Sequence, residues 1–198
     1  PKMTSFIIAI LLLFITPGPG VLSVAGVGSA FGYNAGFRYM TGLFIGTNMV
    51  ALCVVTGLAA LLLAEPVIRT FLLWASVTYL IYLAVRIAFS GRKIAFAPAL
   101  KQPGILDGIA LQALNPKAYV VNTTLFTGFP LFPNAFGAEI VSKFLIVNVL
   151  WILVHIAWLW AGVSLHRLNL APRTQFAINV LMALAMLAVV ALAAWRAL

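Results

Sequence analysis

Six stretches of this chain contain no Asp, Glu, Lys or Arg: 3–37, 39–64, 70–85, 118–138, 144–166 and 174–195. A helix needs about 20 mostly apolar residues to cross a hydrocarbon core about 30 Å thick, so this spacing of charges constrains the fold more than any motif does. The third stretch is short, but Pro66 can open a helix at its first turn, and Arg69 and Arg86 can snorkel outward, extending the span to about 67–89. The expected fold is an all-α integral membrane protein with six transmembrane helices, near 3–30, 36–63, 67–89, 107–128, 140–164 and 173–195. One polar connector, about 90–106, carries Arg92, Lys93 and Lys101, and the whole of 1–198 reads as a single transmembrane domain.

Composition removes most other classes. The chain is 64% hydrophobic and 8% charged, against roughly 45–50% and about 25% in soluble domains. Glu65, Asp107 and Glu139 are the only acids beside twelve Lys and Arg, which leaves no material for a carboxylate-rich metal cage or catalytic pair. Glu65 and Glu139 fall in connectors and are expected to be solvated. The charge of +9 lies on no basic, aromatic-studded stripe, so anionic lipid headgroups rather than nucleic acid are the expected counter-charge. The single Cys53 allows no disulfide framework and no cysteine zinc site. No Gly-x-Ser-x-Gly elbow, His-Glu-x-x-His or aspartate-rich motif is present, so neither an enzyme nor a cofactor is expected.

A secretory leader is the competing reading of the first run, since Lys2 precedes it and Ser23-Val24-Ala25 loosely resembles a cleavage site. The run is too long for a leader's apolar region and is interrupted at Pro17, which favours a retained helix. Lys and Arg set orientation. One side of a six-span chain collects seven (Arg38, Arg86, Arg92, Lys93, Lys101, Arg167, Arg173) and the other four (Lys2, Arg69, Lys143, Arg196). The first side is expected to be cytoplasmic, with both termini outside.

Two runs are interrupted. In Thr16-Pro17-Gly18-Pro19-Gly20 neither proline can donate a helix hydrogen bond, so the carbonyls of Leu13 and Ile15 lose their partners. In Asn115-Pro116-Lys117, Pro116 likewise frees the carbonyl of Gln112. Within a membrane such breaks are tolerated where they are buried in protein or line a watery cavity. Pro17 and Pro116 stand 99 residues apart, half the chain, which points to halves of about 1–90 and 106–198. Three spans per half would make them inverted repeats, with broken helices 1 and 4 meeting near the midplane. The alternative is that each proline merely kinks its helix.

The Thr16–Gly20 segment, the glycine-rich second run, Trp74 with Tyr79-Leu80 in the third, and Ala113-Leu114-Asn115-Pro116-Lys117-Ala118 opening the fourth resemble the LysE/RhtB family of amino-acid exporters over essentially the full length. The resemblance implies a six-helix permease of the bacterial inner membrane that exports amino acids or their derivatives, driven by the proton motive force, and by analogy a homodimer. More distant relatives handle metals, so metal-cation efflux is the alternative, with few oxygen, Cys or His ligands in the spans to support it.

The residue chemistry fits an amino-acid site. A broken helix offers N–H groups to a carboxylate and C=O groups to an ammonium at one place. Pro17, Gly18 and Pro19 are expected to shape one wall, and Asn115, Pro116 and Lys117 the other. Lys117 either pairs the substrate carboxylate or snorkels to the interface. Asn48 and Asn148, 100 residues apart, either project toward the pathway or bond a neighbouring helix, as Asn122 can. Asp107 and His155 are the candidates for proton coupling, although Asp107 stands where it can cap a helix. His155 and His166 share a helical face but lie three turns apart, too far to hold one ion directly. Gly28, Gly32, Gly36, Gly42 and Gly46 read as helix-packing positions. Trp151, Trp158 and Trp160 are assigned to core and interface. The scarcity of charge along the pathway mildly favours a neutral or small polar substrate.

Overall fold

The computed structural model describes residues 2–90 and 101–195; Arg92, Lys93 and Arg196, counted above for orientation, lie outside the described residues. The described residues form eight helices and no strand: α1 (Lys2–Ile15), α2 (Pro19–Val55), α3 (Leu58–Ala64), α4 (Pro66–Ala88), α5 (Ile105–Leu114), α6 (Pro116–Thr127), α7 (Phe136–Arg167) and α8 (Pro172–Trp195). Of these, α2, α4 and α7 are each long and apolar enough to cross a bilayer.

The first break is complete. Helix α1 stops at Ile15, Gly18 is extended at φ −160°, and Pro19 begins α2 in the one helical position where its missing N–H costs nothing. Helix α1 buries Phe6, Ile10 and Phe14, one side chain per turn.

Helix α2 is not one rod. At Gly32 the backbone turns to φ +80°, ψ −174°, a region L residues avoid. A Cβ added at Gly36 would stand 3.3 Å from Gly28 Cα, whereas eight residues of straight helix span about 12 Å. The Tyr39 hydroxyl donates to Ser23 Oγ at 3.0 Å. Limbs 19–31 and 33–55 therefore fold back on each other as a helical hairpin with a single-residue turn. The gap expected at 31–35 is absent, and Gly32 is the turn itself rather than a packing position. The helix expected over 36–63 is also divided. Gly57 at φ +77° separates α2 from the short α3, while Thr56 Oγ1 bonds back to the carbonyl of Leu52 at 2.8 Å.

Close packing replaces hydrophobic drive between helices in lipid. The first limb of α2 lies on α7, where a Cβ at Gly162 would collide with the carbonyl of Ala25. The second limb lies on α5, where one at Gly42 would collide with the carbonyl of Ile105 and one at Gly108 with that of Tyr39. Two ion pairs mark opposite ends of the bundle. Arg86, expected to snorkel outward, is instead 3% exposed and meets Asp107 at 2.5 Å. Its guanidinium also donates to the carbonyl of Lys101, at 2.9 Å from Nε. Glu139, expected in a solvated connector, lies in the first turn of α7 and pairs with Lys143 at 2.7 Å. Lys143 is 1% exposed and also donates to the carbonyl of Phe126 at 2.8 Å. Both corrections have one cause: a cation too deep to reach water keeps its charge only with an acceptor beside it.

Candidate functional site

The second break is built by two adjacent residues. Pro116 disfavours the helical region for its predecessor, and Asn115 is extended at φ −77°, ψ 110°. Asn115 ends α5 and caps α6: its Oδ1 accepts from the backbone N–H of Lys117 at 3.1 Å, and its Nδ2 donates to Gln112 Oε1 at 3.0 Å.

The two breaks meet. Lys117 Nζ donates to the carbonyl of Thr16 at 2.7 Å, joining residues 101 apart in the chain. Gly18 lies directly beneath that side chain, and a Cβ there would stand 2.9 Å from both Cδ and Nζ of Lys117. Around the junction lies a cavity of about 50 Å³ lined by residues of α1, α2, α5, α6 and α7, among them Gly18, Gln112, Asn115, Lys117 and His155.

His155 gives the cavity its third wall. Its ring stacks on Trp151 with centroids 3.5 Å apart, and Phe14 meets it edge-on at 6.4 Å. Nδ1 lies 2.8 Å from the carbonyl of Trp151. A carbonyl only accepts, so Nδ1 carries a proton, and in the neutral form of the ring the lone pair is on Nε2. That nitrogen faces the cavity, 3.7 Å from where a Cβ on Gly20 would stand. Two acceptors for an ammonium group, His155 Nε2 and Gln112 Oε1, thus converge there, and the carbonyl of Thr16 lies next to the cavity as the acceptor of Lys117. The Lys117 ammonium is the matching donor for a carboxylate.

Of the residues expected at the site, Gly18, Asn115, Lys117 and His155 line the cavity, and Pro17, Pro19 and Pro116 shape the breaks that form it. Three others lie elsewhere. Asn48 and Asn148 exchange amide hydrogen bonds at 3.1 and 2.9 Å, each acting as donor and acceptor, and neither lines the cavity. Asp107 sits in the first turn of α5, where its Oδ2 accepts from the N–H of Gly104 at 2.8 Å. Its Oδ1 pairs with Arg86, and the Tyr79 hydroxyl donates to its carbonyl at 2.9 Å. His166 is held by the carbonyl of Ser29 at 2.9 Å, and among the described residues no three His, Cys, Asp or Glu come together as metal ligands. Sequence reasoning missed Thr47, Gln112 and Trp151 at the cavity. For Gln112 a signal existed, since it stands one turn before Asn115 and its own carbonyl is the one Pro116 frees. Trp151 stands one turn before His155.

These features define a helical membrane protein with a small cavity between two broken helices, mostly apolar in lining with a few polar groups. The family model described as LysE type translocator matches residues 11–196, and the chain belongs to that family. It is accordingly a multi-pass membrane protein. It is similar to a leucine efflux protein of Enterobacter sp. (strain 638), 25% identical over 130 residues, covering 63% of this chain and 62% of that one. An uncharacterized membrane protein of Pseudomonas aeruginosa is 28% identical over 134 residues, covering 63% and 62%. The cysteine/O-acetylserine efflux protein of Escherichia coli (strain K12) is 25% identical over 158 residues, covering 80% of each. The matched part of the chain spans about three fifths of the length of the first two relatives. No solved structure matches it.

Proposed function

We propose that this chain is a secondary transporter that exports an amino acid or amino-acid derivative across the bacterial inner membrane. The observation that carries the reading is the Lys117 bridge between the two breaks, with two further ammonium acceptors, Gln112 and His155, on the cavity it borders. The names of two relatives, efflux proteins for leucine and for cysteine and O-acetylserine, support the substrate class. In this reading the substrate carboxylate takes Lys117 from the Thr16 carbonyl, and the released carbonyl joins Gln112 and His155 around the ammonium. Proton coupling falls to His155, whose Nε2 faces the cavity; Asp107 holds the start of α5.

The topology proposed with it has six spans: α1 with limb 19–31, limb 33–55 with α3, α4, α5 with α6, α7, and α8. Inverted repeats of three spans are supported by two offsets. The breaks stand 99 residues apart, and the reciprocally bonded Asn48 and Asn148 stand 100 apart, as a two-fold axis between them requires. The charge count puts both termini in the periplasm and access alternates about the midplane cavity.

Counterflow in proteoliposomes tests the function. With labelled amino acids inside and a proton gradient imposed, wild type should release a defined subset. Lys117→Met should lower that release at least about tenfold, as loss of a charge-assisted hydrogen bond worth ~1.5–3 kcal/mol implies, and Asn115→Ala should lower it severalfold through loss of a helix cap worth about 1 kcal/mol. Release unaffected by both substitutions in folded protein would sink the site, and release of no amino acid by wild type would sink the substrate class.

A further inference from the structure

A second, larger recess lies outside the cavity. A groove of about 700 Å³ runs between α3 and α4 on one side and α6 on the other. Helix α4 runs antiparallel to the α5–α6 span, since Arg86 near its end meets Asp107 near the start of α5. The groove therefore has ordered ends. Arg69, Thr70, Thr123 and Thr124 line one, and Leu73, Val120, Leu114 and Pro116 lead to the other. From Thr124 to Pro116 is about 12 Å of helix α6, and the extended Asn115 carries the groove on to Leu114, about 15 Å in all. That is half of a hydrocarbon core about 30 Å thick, the depth of one leaflet.

Charge and chemistry choose the occupant. Arg69 is exposed, and the two ion pairs among the described residues belong to Arg86 and Lys143, so Arg69 has no carboxylate partner there. Glu65, one turn earlier, does not pair with it and does not line the groove. A cation with three threonines about it at the mouth, above an apolar trough one leaflet deep, matches a phosphate on an acyl chain. We propose that this groove binds one anionic phospholipid of the adjacent leaflet, with its phosphate at Arg69 and an acyl chain lying along Leu73 and Val120 to Pro116. The chain end then rests on Pro116, behind the break whose Asn115 and Lys117 line the cavity. Any effect of the lipid on export rests on the transport reading; its binding does not.

Native mass spectrometry of the full chain, delipidated and then offered dimyristoyl phosphatidylglycerol or dimyristoyl phosphatidylcholine, reads binding without transport. Retention should favour phosphatidylglycerol about fivefold, the effect of one basic side chain at a membrane surface. Arg69→Gln should reduce phosphatidylglycerol to the level of phosphatidylcholine. Val120→Trp, or Leu73→Trp if that variant does not fold, should fill the trough and displace both lipids. Equal retention of the two lipids by wild type, or a preference that survives Arg69→Gln, overturns the proposal. A dimer that either tryptophan variant breaks also overturns it, assigning the groove to a second copy of the chain. Failure of counterflow with lipid retention intact would strike the transport reading alone.

Discussion

At the scale of single residues, Gly18 has the most constrained role that a small substitution can probe. A methyl group there meets only the flexible end of Lys117, which can move aside at little cost to stability. Gly18→Ala should therefore leave the melting temperature within a few degrees, a change of about 1 kcal/mol or less, yet move the ammonium off the Thr16 carbonyl and slow export. Thermal unfolding beside counterflow checks this, and a loss of both stability and export would mean that Gly18 serves the backbone instead. The prolines and Asn115 were legible because their effects are local: a missing donor and a short amide act within one turn. Trp151 was not, because stacking on His155 depends on which face of α7 turns inward, and an apolar run surrounded by apolar neighbours carries no period to show it. Arg86 misled for a related reason. Its charge invites an outward reading, and the partner that holds it inward comes from another helix 21 residues later.

At the scale of helices, the pair Asn48 and Asn148 ties the second limb of α2 to α7 through two hydrogen bonds related by exchange of the partners. Removing either amide leaves the other short of a donor and an acceptor. Asn48→Ala and Asn148→Ala should each destabilise by about 0.6 kcal/mol and at most ~1.7 kcal/mol, the range for polar contacts between membrane helices. The double variant should cost less than the sum, because the second substitution removes a group already unpaired. Additive losses in a double-mutant cycle would deny the pairing. The all-helical class and the approximate place of the apolar runs were readable from charge spacing, whereas the divisions within them, the Gly32 reversal above all, were not. Glycines every four residues along α2 serve close packing at some positions and a turn at Gly32, and only the sign of φ separates the two.

For the molecule as a whole, the cavity of about 50 Å³ is too small for its proposed cargo, given that small-molecule sites are typically ≈ 300–1,000 Å³. In the proposed transport reading, loading therefore requires the walls to part. With Cys53 replaced by serine, Thr47→Cys should react with a membrane-impermeant maleimide added on either side of the membrane, and substrate should protect it. Reaction from one side only, whatever the gradient, would make the cavity a dead-end pocket and remove alternating access. Whether two interrupted runs half a chain apart meet is a tertiary fact. Their matched spacing made the meeting readable, but the hydrogen bond that closes it lay beyond any local pattern.

The Lys117 contact also orders events during synthesis. Thr16 leaves the ribosome 101 residues before the ammonium that satisfies its carbonyl, so while those residues are made the break in the first span carries a polar group without the partner that hydrocarbon demands. The loop-free hairpin at Gly32 carries that span into the bilayer together with the next one, as a unit. Completion waits for α6 to emerge, so a fragment that ends before Lys117 holds the first break without the contact that closes it.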